Sequence, residues 1–386
     1  MAVLEALEAL KKASKDVEHN ADDDSAGGGC DSPSMKALLV LQNGSDDLLS
    51  GDPHLSTLSS LLFRLKSLLS SPSPKKPRFP PFQSFLLRRH RKPTEISILA
   101  GSIGSELQSW IDRESLDRLL SPSISDDDKS TLLAALESRL SLGLDRGFQE
   151  LLLRSGAYSA VESTLADTTA SRRVRDLAAL AVLAMVRFNK SVFVGEVLMG
   201  PAVRSLVALS SADSLRALNG LISAVRSPII DYLHAHGELA TIIALLSAEE
   251  EDVEIRALAL DSVLLVGYLG RKEAIDAMME EGLVERLVEL QRSDLGGTAT
   301  EGETDGGDDG SGGAGRERRG GDVEARPFAS CVSRLAIQME VGEGLRGREK
   351  REVKLEVLRR VREAAADSEA EMWTMIAEVL WGSTCW

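Results

Sequence analysis

Aromatic side chains are scarce in this chain of 386 residues, at 4% of positions. Leu and Ala supply most of the apolar content instead, which suits helices packed on helices and suits strands badly. Cysteine is almost missing, with Cys30, Cys331 and Cys385 standing far apart. Such spacing makes neither a disulfide framework nor a zinc site, so reduced thiols in an intracellular protein are expected. Five scattered histidines offer little for general acid–base chemistry. No Gly-x-Ser-x-Gly phrase and no Cys/His nucleophile constellation is present. The expectation is therefore a protein that is not an enzyme and holds no cofactor and no metal.

Long apolar runs are missing too. The longest, Leu177 to Val186, has ten residues and is too short to cross a bilayer, so no membrane span is expected. Glu5 and Glu8 stand where the apolar core of a secretory signal would have to lie. Cationic surface is in deficit: the formal net charge is −15, which argues against nucleic acid as the main partner. Much of the acidity is local, in Asp22–Asp24, Asp126–Asp128, Glu249–Asp252 and the stretch 301–309, as expected of solvated loops.

What the chain does contain is an internal repeat. Gly156, Gly200, Gly237 and Gly282 recur at separations of 44, 37 and 45 residues. Each opens a short apolar helical phrase (GAYSAVESTL, GPAVRSLVAL, GELATIIALL, GLVERLVELQ) and follows a second one (RGFQELLLRSG, KSVFVGEVLMG, RSPIIDYLHAHG, KEAIDAMMEEG). Between them run longer segments, VRDLAALAVLAMVRF, SLRALNGLISAV and VEIRALALDSVLLVGYL, apolar nearly all round at their centres. That pattern predicts helices buried between neighbours on both sides. A recurrent glycine fits a sharp turn, because positive φ costs glycine nothing. Asp213 and Asp252 are expected to cap the helices that follow them.

A period near 42 residues with two or three helices per unit belongs to the armadillo/HEAT class. The "ALxxL" helix, the glycine and the following "LVxLL"-like run resemble the armadillo repeat over roughly 129–292. The helical region before them loosely resembles the one that precedes the repeats in plant U-box/armadillo proteins. The U-box itself, which that resemblance would place between the two, has no counterpart, because no Cys-Pro pair occurs and only residues 121–130 separate the regions. The fold expected is all-α, an armadillo-like right-handed α-solenoid with an N-terminal helical region and disordered insertions. Its parts are a helix and acidic/Gly/Ser linker over 1–54, a helical region with a Pro-rich basic segment over 55–128, and repeats over 129–292. A Gly/Asp-rich insertion over 293–326 and a helical cap over 327–386 complete the chain. In the cap, Met372, Trp373, Ile376, Val379, Leu380 and Trp381 are expected to pack against the charged helix 349–366.

The resemblance implies a non-catalytic, monomeric scaffold that binds a protein partner through the concave face of the solenoid. A component of a ubiquitin-ligase system is the alternative. The ladder of Trp and Asn that marks armadillo import receptors is absent, since no Trp lies between Gly156 and Glu289 and only Asn189 and Asn219 occur there. The helices after the four glycines are expected to line the groove, with Tyr158, Ser159, Glu162, Arg204, Ser205, Thr241, Glu285 and Arg286 at its polar positions.

Several smaller motifs have bland and sharp readings. Lys75-Lys76 and Arg88-Arg89-His90-Arg91-Lys92 lie eleven residues apart in a stretch without acids. They form a candidate bipartite nuclear-localisation signal, or else merely solvate a folded Phe/Leu cluster. A cytoplasmic and/or nuclear location follows. Gly310-x-Gly312-x-x-Gly315 lacks the strand–helix context of a dinucleotide site. His234 and His236 fit a solvent-facing turn better than a metal pair. Three Leu-x-x-Leu-Leu phrases, at 58–62, 65–69 and 116–120, fit core packing better than partner docking.

Overall fold

The computed structural model describes residues 56–70, 82–121, 124–247, 252–296 and 327–381. Every regular element among them is an α-helix, and they divide into two compact units. The first contains α1 (Ser56–Ser70), α2 (Phe82–Leu119) and α4 (Arg146–Ser155), and α2 packs against both others. Leu58, Leu62 and Leu65 form the buried stripe of α1 at helical spacing, and Ile103 and Leu107 belong to that of α2. The phrases at 58–62 and 116–120 thus give Leu58, Leu62, Leu116 and Leu119 to the core, as their spacing suggests. The phrase at 65–69 gives Leu65, and the side chains of Leu68 and Leu69 lie outside the described residues. Helix α2 begins at Phe82 and carries Pro93 within it, so the Pro-rich break ends well before the expected start at 94.

The second unit starts with α3 (Asp126–Ser141) and α5 (Ala157–Ala166). Four three-helix sets follow. They are α6 (Arg172–Phe188), α7 (Lys190–Met199) and α8 (Ala202–Leu209); then α9 (Ala212–Val225), α10 (Ser227–Ala235) and α11 (Glu238–Ala244). Next come α12 (Val253–Leu269), α13 (Lys272–Glu280) and α14 (Leu283–Gly296), then α15 (Cys331–Val341), α16 (Gly347–Ala364) and α17 (Glu369–Trp381). The first helix of each set stacks on its counterpart in the next, giving the column α3–α6–α9–α12–α15. The second helices α7, α10 and α13 form a parallel stack. Equivalent helices meeting one unit apart define an all-α solenoid of the armadillo-like kind.

The column explains the all-round apolar segments. Helix α6 buries Val174, Ala178, Ala181, Val182, Met185 and Val186, which together cover more than one stripe, because α3 and α9 flank it. A fully buried Val or Met side chain among these contributes about 1.5–3 kcal/mol. Polar links then join each unit to the next. The Ser171 N–H donates to Asp126 Oδ2 at 3.0 Å, and the Ser211 hydroxyl donates to Asp176. Arg216 pairs with Glu254, and Arg334 with Asp261 at 3.8 Å. Asn219 donates from Nδ2 to the Leu258 carbonyl at 3.0 Å and accepts the Ser262 hydroxyl at 2.6 Å.

Caps follow local chemistry with one correction. Asp252 caps α12 through the Glu254 N–H, as expected. Helix α9 is capped by Ser211, not Asp213: Ser211 and Ser214 satisfy one another's backbone N–H groups in a capping box, leaving Asp213 inside the first turn. Helix α14 continues to Gly296, so the segment expected to be irregular from 293 starts as helix; residues 297–326 lie outside the described residues. In α17 the buried stripe is Met375, Ile376 and Val379, with Met372 half-buried beside it. Trp373, Leu380 and Trp381 fall on the other side of the helix and face outward, contrary to expectation. Positions 373, 377, 380 and 381 form their own face at 3.6-residue spacing, separate from the one that carries Met375, Ile376 and Val379.

Candidate functional site

Chemistry is sparse among the described residues. They contain no group of three or more His, Cys, Asp or Glu side chains able to hold a metal. His234 and His236 are exposed, and the His236 ring stacks on Tyr232 with centroids 4.0 Å apart. Cys331 is buried with its Sγ 3.1 Å from the Leu287 carbonyl oxygen. Cys30, Cys385, Lys75, Lys76 and the triplet Gly310, Gly312, Gly315 lie outside the described residues. Arg88, Arg89, Arg91 and Lys92 fall in the first turns of α2.

The four repeat glycines divide by cause. Gly156, Gly237 and Gly282 have φ of 69°, 71° and 75°, the left-handed region that a turn demands and a Cβ resists. Gly200 differs, with an extended backbone at φ −94° and ψ −178°. Its constraint is space, because a Cβ there would overlap the Glu162 carboxylate. That carboxylate accepts the Ala202 N–H at 3.2 Å, at the start of α8, and the Tyr158 hydroxyl at 3.3 Å. Tyr158 is buried and stacks on Phe193 at 6.1 Å.

The polar positions expected to line a groove are largely spent on joining units. Glu162 holds α8, Arg204 bonds Glu238 on α11 at 3.2 Å, and Arg286 reaches Ser247 at 3.2 Å. Glu285 receives Arg360 at 3.2 Å. The short helices that carry them thus serve as ties between neighbours. An open cavity of about 610 Å³ lies on the long-helix column instead, lined by residues of α3, α6 and α9. Ser130, Thr131 and Ala134 come from α3; Arg172, Arg173, Asp176 and Leu177 from α6; Asp213 from α9. Around it the column continues to expose polar residues: Arg187 on α6, and pairs two turns apart on α9 (Arg216 and Ser223) and α12 (Glu254 and Asp261). Sequence pattern had no means of choosing this face. Exposed positions on the long helices are few, and they align only once the helices stack.

Burial is the main influence on Glu162 and holds its carboxyl above the ordinary 4.5, against the opposing effects of the Ala202 N–H and the Tyr158 hydroxyl. A raised folded-state value means that the folded chain binds the proton more tightly than the unfolded chain. Stability from this group therefore declines as pH rises from about 4.5 through the folded-state value. Glu162→Gln keeps an acceptor for Ala202 and Tyr158 and removes the titration. Urea midpoints of the two proteins, measured from pH 4 to pH 7, are expected to shift in favour of the variant as pH rises. A shift in favour of the native chain would refute the assignment. The effect is small, since Glu162 is half-exposed.

No family model matches the chain, and no curated protein matches it. Among solved structures, the designed armadillo repeat protein YIII(Dq)4CqI is similar at 16% identity, covering 70% of this chain and 98% of its own, with a TM-score of 0.44. A designed armadillo repeat protein in complex with the peptide (KR)4 is similar at 16% identity, with the same coverage and a TM-score of 0.46. Kap121p bound to Nup53p is similar at 12% identity over 97% of this chain and 33% of Kap121p, with a TM-score of 0.47. None of these three likenesses reaches a TM-score of 0.5, and the fold stands on the stacking within the chain itself.

Proposed function

We propose that this protein is a non-catalytic scaffold that binds a protein partner on the exposed face of the long-helix column. The observation that carries this reading is the open cavity shared by three successive column helices, α3, α6 and α9. A recess that crosses unit boundaries suits an extended partner segment, whose side chains repeat along a line as the helices do. The polar links beside it hold neighbouring helices in register, which lowers the ordering cost of binding. Within the same reading the protein acts as a monomer. Lys75, Lys76, Arg88, Arg89, Arg91 and Lys92 then serve as an import signal, so that it works in cytoplasm and nucleus. Kinship with the armadillo part of plant U-box/armadillo proteins is included, and ligase activity is not.

The test is to fill the cavity. Ala134 is exposed and lines it, so Ala134→Trp adds bulk there without disturbing the core. Partners identified by proximity labelling with the full chain are expected to fall about tenfold in affinity for this variant. Its thermal melt should remain that of the native protein. Undiminished binding of every partner by Ala134→Trp sinks the reading.

A further inference from the structure

We infer that the cavity across α3, α6 and α9 selects a partner segment bearing carboxylate side chains. This inference rests on the scaffold reading above and names the chemistry of what the face accepts.

Four charged side chains line the cavity, two of each sign, and they are not equivalent. Asp176 receives the Ser211 hydroxyl. Asp213 is paired with Arg216 at 2.5 Å, and the same guanidinium bonds Glu254. Asp213 is thus ion-paired by a guanidinium of the chain itself, whereas Asp176 accepts one neutral hydroxyl and keeps its charge. Arg172 and Arg173 are exposed and make no hydrogen bond or ion pair among the described residues. The hydroxyls of Ser130 and Thr131 both donate to the Asp127 carbonyl oxygen, at 2.8 and 3.0 Å, and so offer the cavity no donor. What remains unmet is the donor capacity of two guanidiniums, each with five N–H groups in a fork that matches a carboxylate. The apolar side chains of Ala134 and Leu177 border them and exclude part of the solvent that would screen such a pair.

Charge complementarity therefore points to Asp or Glu on the partner, against the drift of the whole chain. With a net charge of −15, an acidic peptide is repelled by the molecule in general, and its capture requires a local cationic site. A basic peptide, favoured by net charge, would meet two unpaired arginines here against one carboxylate, Asp176, that lacks a cationic partner among the described residues.

Fluorescence anisotropy on the full chain decides the matter. The probes are labelled decapeptides of alternating Asp-Ser, Lys-Ser and Gly-Ser. The Asp-Ser peptide is expected to bind, more weakly as salt is raised. Arg172→Glu with Arg173→Glu should weaken it by about tenfold or more. The milder pair Arg172→Gln with Arg173→Gln should weaken it in the same direction and guards against misfolding of the first. A matched reversal on α16, Arg351→Glu with Arg362→Glu, alters exposed arginines elsewhere and should leave binding unchanged. Overturning results are no binding of the Asp-Ser peptide, tighter binding of the Lys-Ser peptide, or equal losses in both reversals. The two proposals fail separately. If Ala134→Trp removes the cellular partner and the Arg172/Arg173 variants do not, the face stands and the acidic ligand falls.

Discussion

Phe193→Ala lowers the unfolding free energy by about 3–5 kcal/mol, the range for deleting a buried aromatic ring from a packed core. Phe193 is 1% exposed, among the largest fully buried side chains of the chain. It sits on α7, a helix in contact with α6, α8, α9 and α10, so no single neighbour can move to fill the space. Its ring also supports Tyr158, whose hydroxyl bonds the carboxylate that holds the start of α8. The damage should be local, because each unit of a solenoid contacts only its neighbours. Urea denaturation reads the magnitude, and amide exchange reads the location. Protection is expected to fall in α5 to α10 and to persist in α15 to α17. A uniform loss of protection along the whole second unit would show that it unfolds as one block, contrary to the stacked-unit description.

Gly344→Ala is expected to cost about 2–3 kcal/mol, as overpacking against a part that cannot yield. A Cβ at Gly344 would fall on the Gly270 carbonyl oxygen, with the Leu269 carbonyl carbon 2.7 Å away. These are backbone atoms, so relief requires the loop 342–346 to leave the end of α12. That loop is docked there by the N–H groups of Glu343 and Gly344, which both donate to the Tyr268 carbonyl oxygen at 2.8 and 3.2 Å. The Tyr268 hydroxyl and Arg226 add bonds to the Glu343 carboxylate. Gly347, three residues on, is the control. It opens α16, and a Cβ there meets nothing within 4 Å. Gly347→Ala should stabilise by about 0.4–1 kcal/mol by restricting the unfolded chain. Thermal melts of the two variants must move in opposite directions; a destabilised Gly347→Ala, or a neutral Gly344→Ala, contradicts the docked geometry.

Much of this architecture was legible in the residues. The segments VRDLAALAVLAMVRF, SLRALNGLISAV and VEIRALALDSVLLVGYL lack a polar face at their centres, and each is a column helix with neighbours on both sides. Gly156, Gly237 and Gly282 take the positive φ that their place between helical phrases suggests. The proposed binding face was not legible in the same way. Tyr158, Glu162, Arg204 and Arg286 have the polarity of groove residues, yet tertiary contacts commit Glu162, Arg204 and Arg286 to ties between units and bury Tyr158. Trp373 and Trp381 have the apolarity of core residues, yet among the described residues they lie exposed, off the face of α17 that buries Met375, Ile376 and Val379.

The sequence by itself determined the helices, their apolar faces, the repeat and three of its turns, since periodicity and backbone preference act over a few residues. Only the tertiary structure decided which helices stack into a column, where the cavity opens and which charges inside it are already paired. The same packing sets Gly200 against the Glu162 carboxylate, which a Cβ there would have to displace. Most of these features depend on groups brought together from 35 to 45 positions apart, as Ser211 with Asp176 and Ser171 with Asp126, whereas the Asp213–Arg216 pair is local. No local pattern encodes that distance, and packing of one unit on the next sets it.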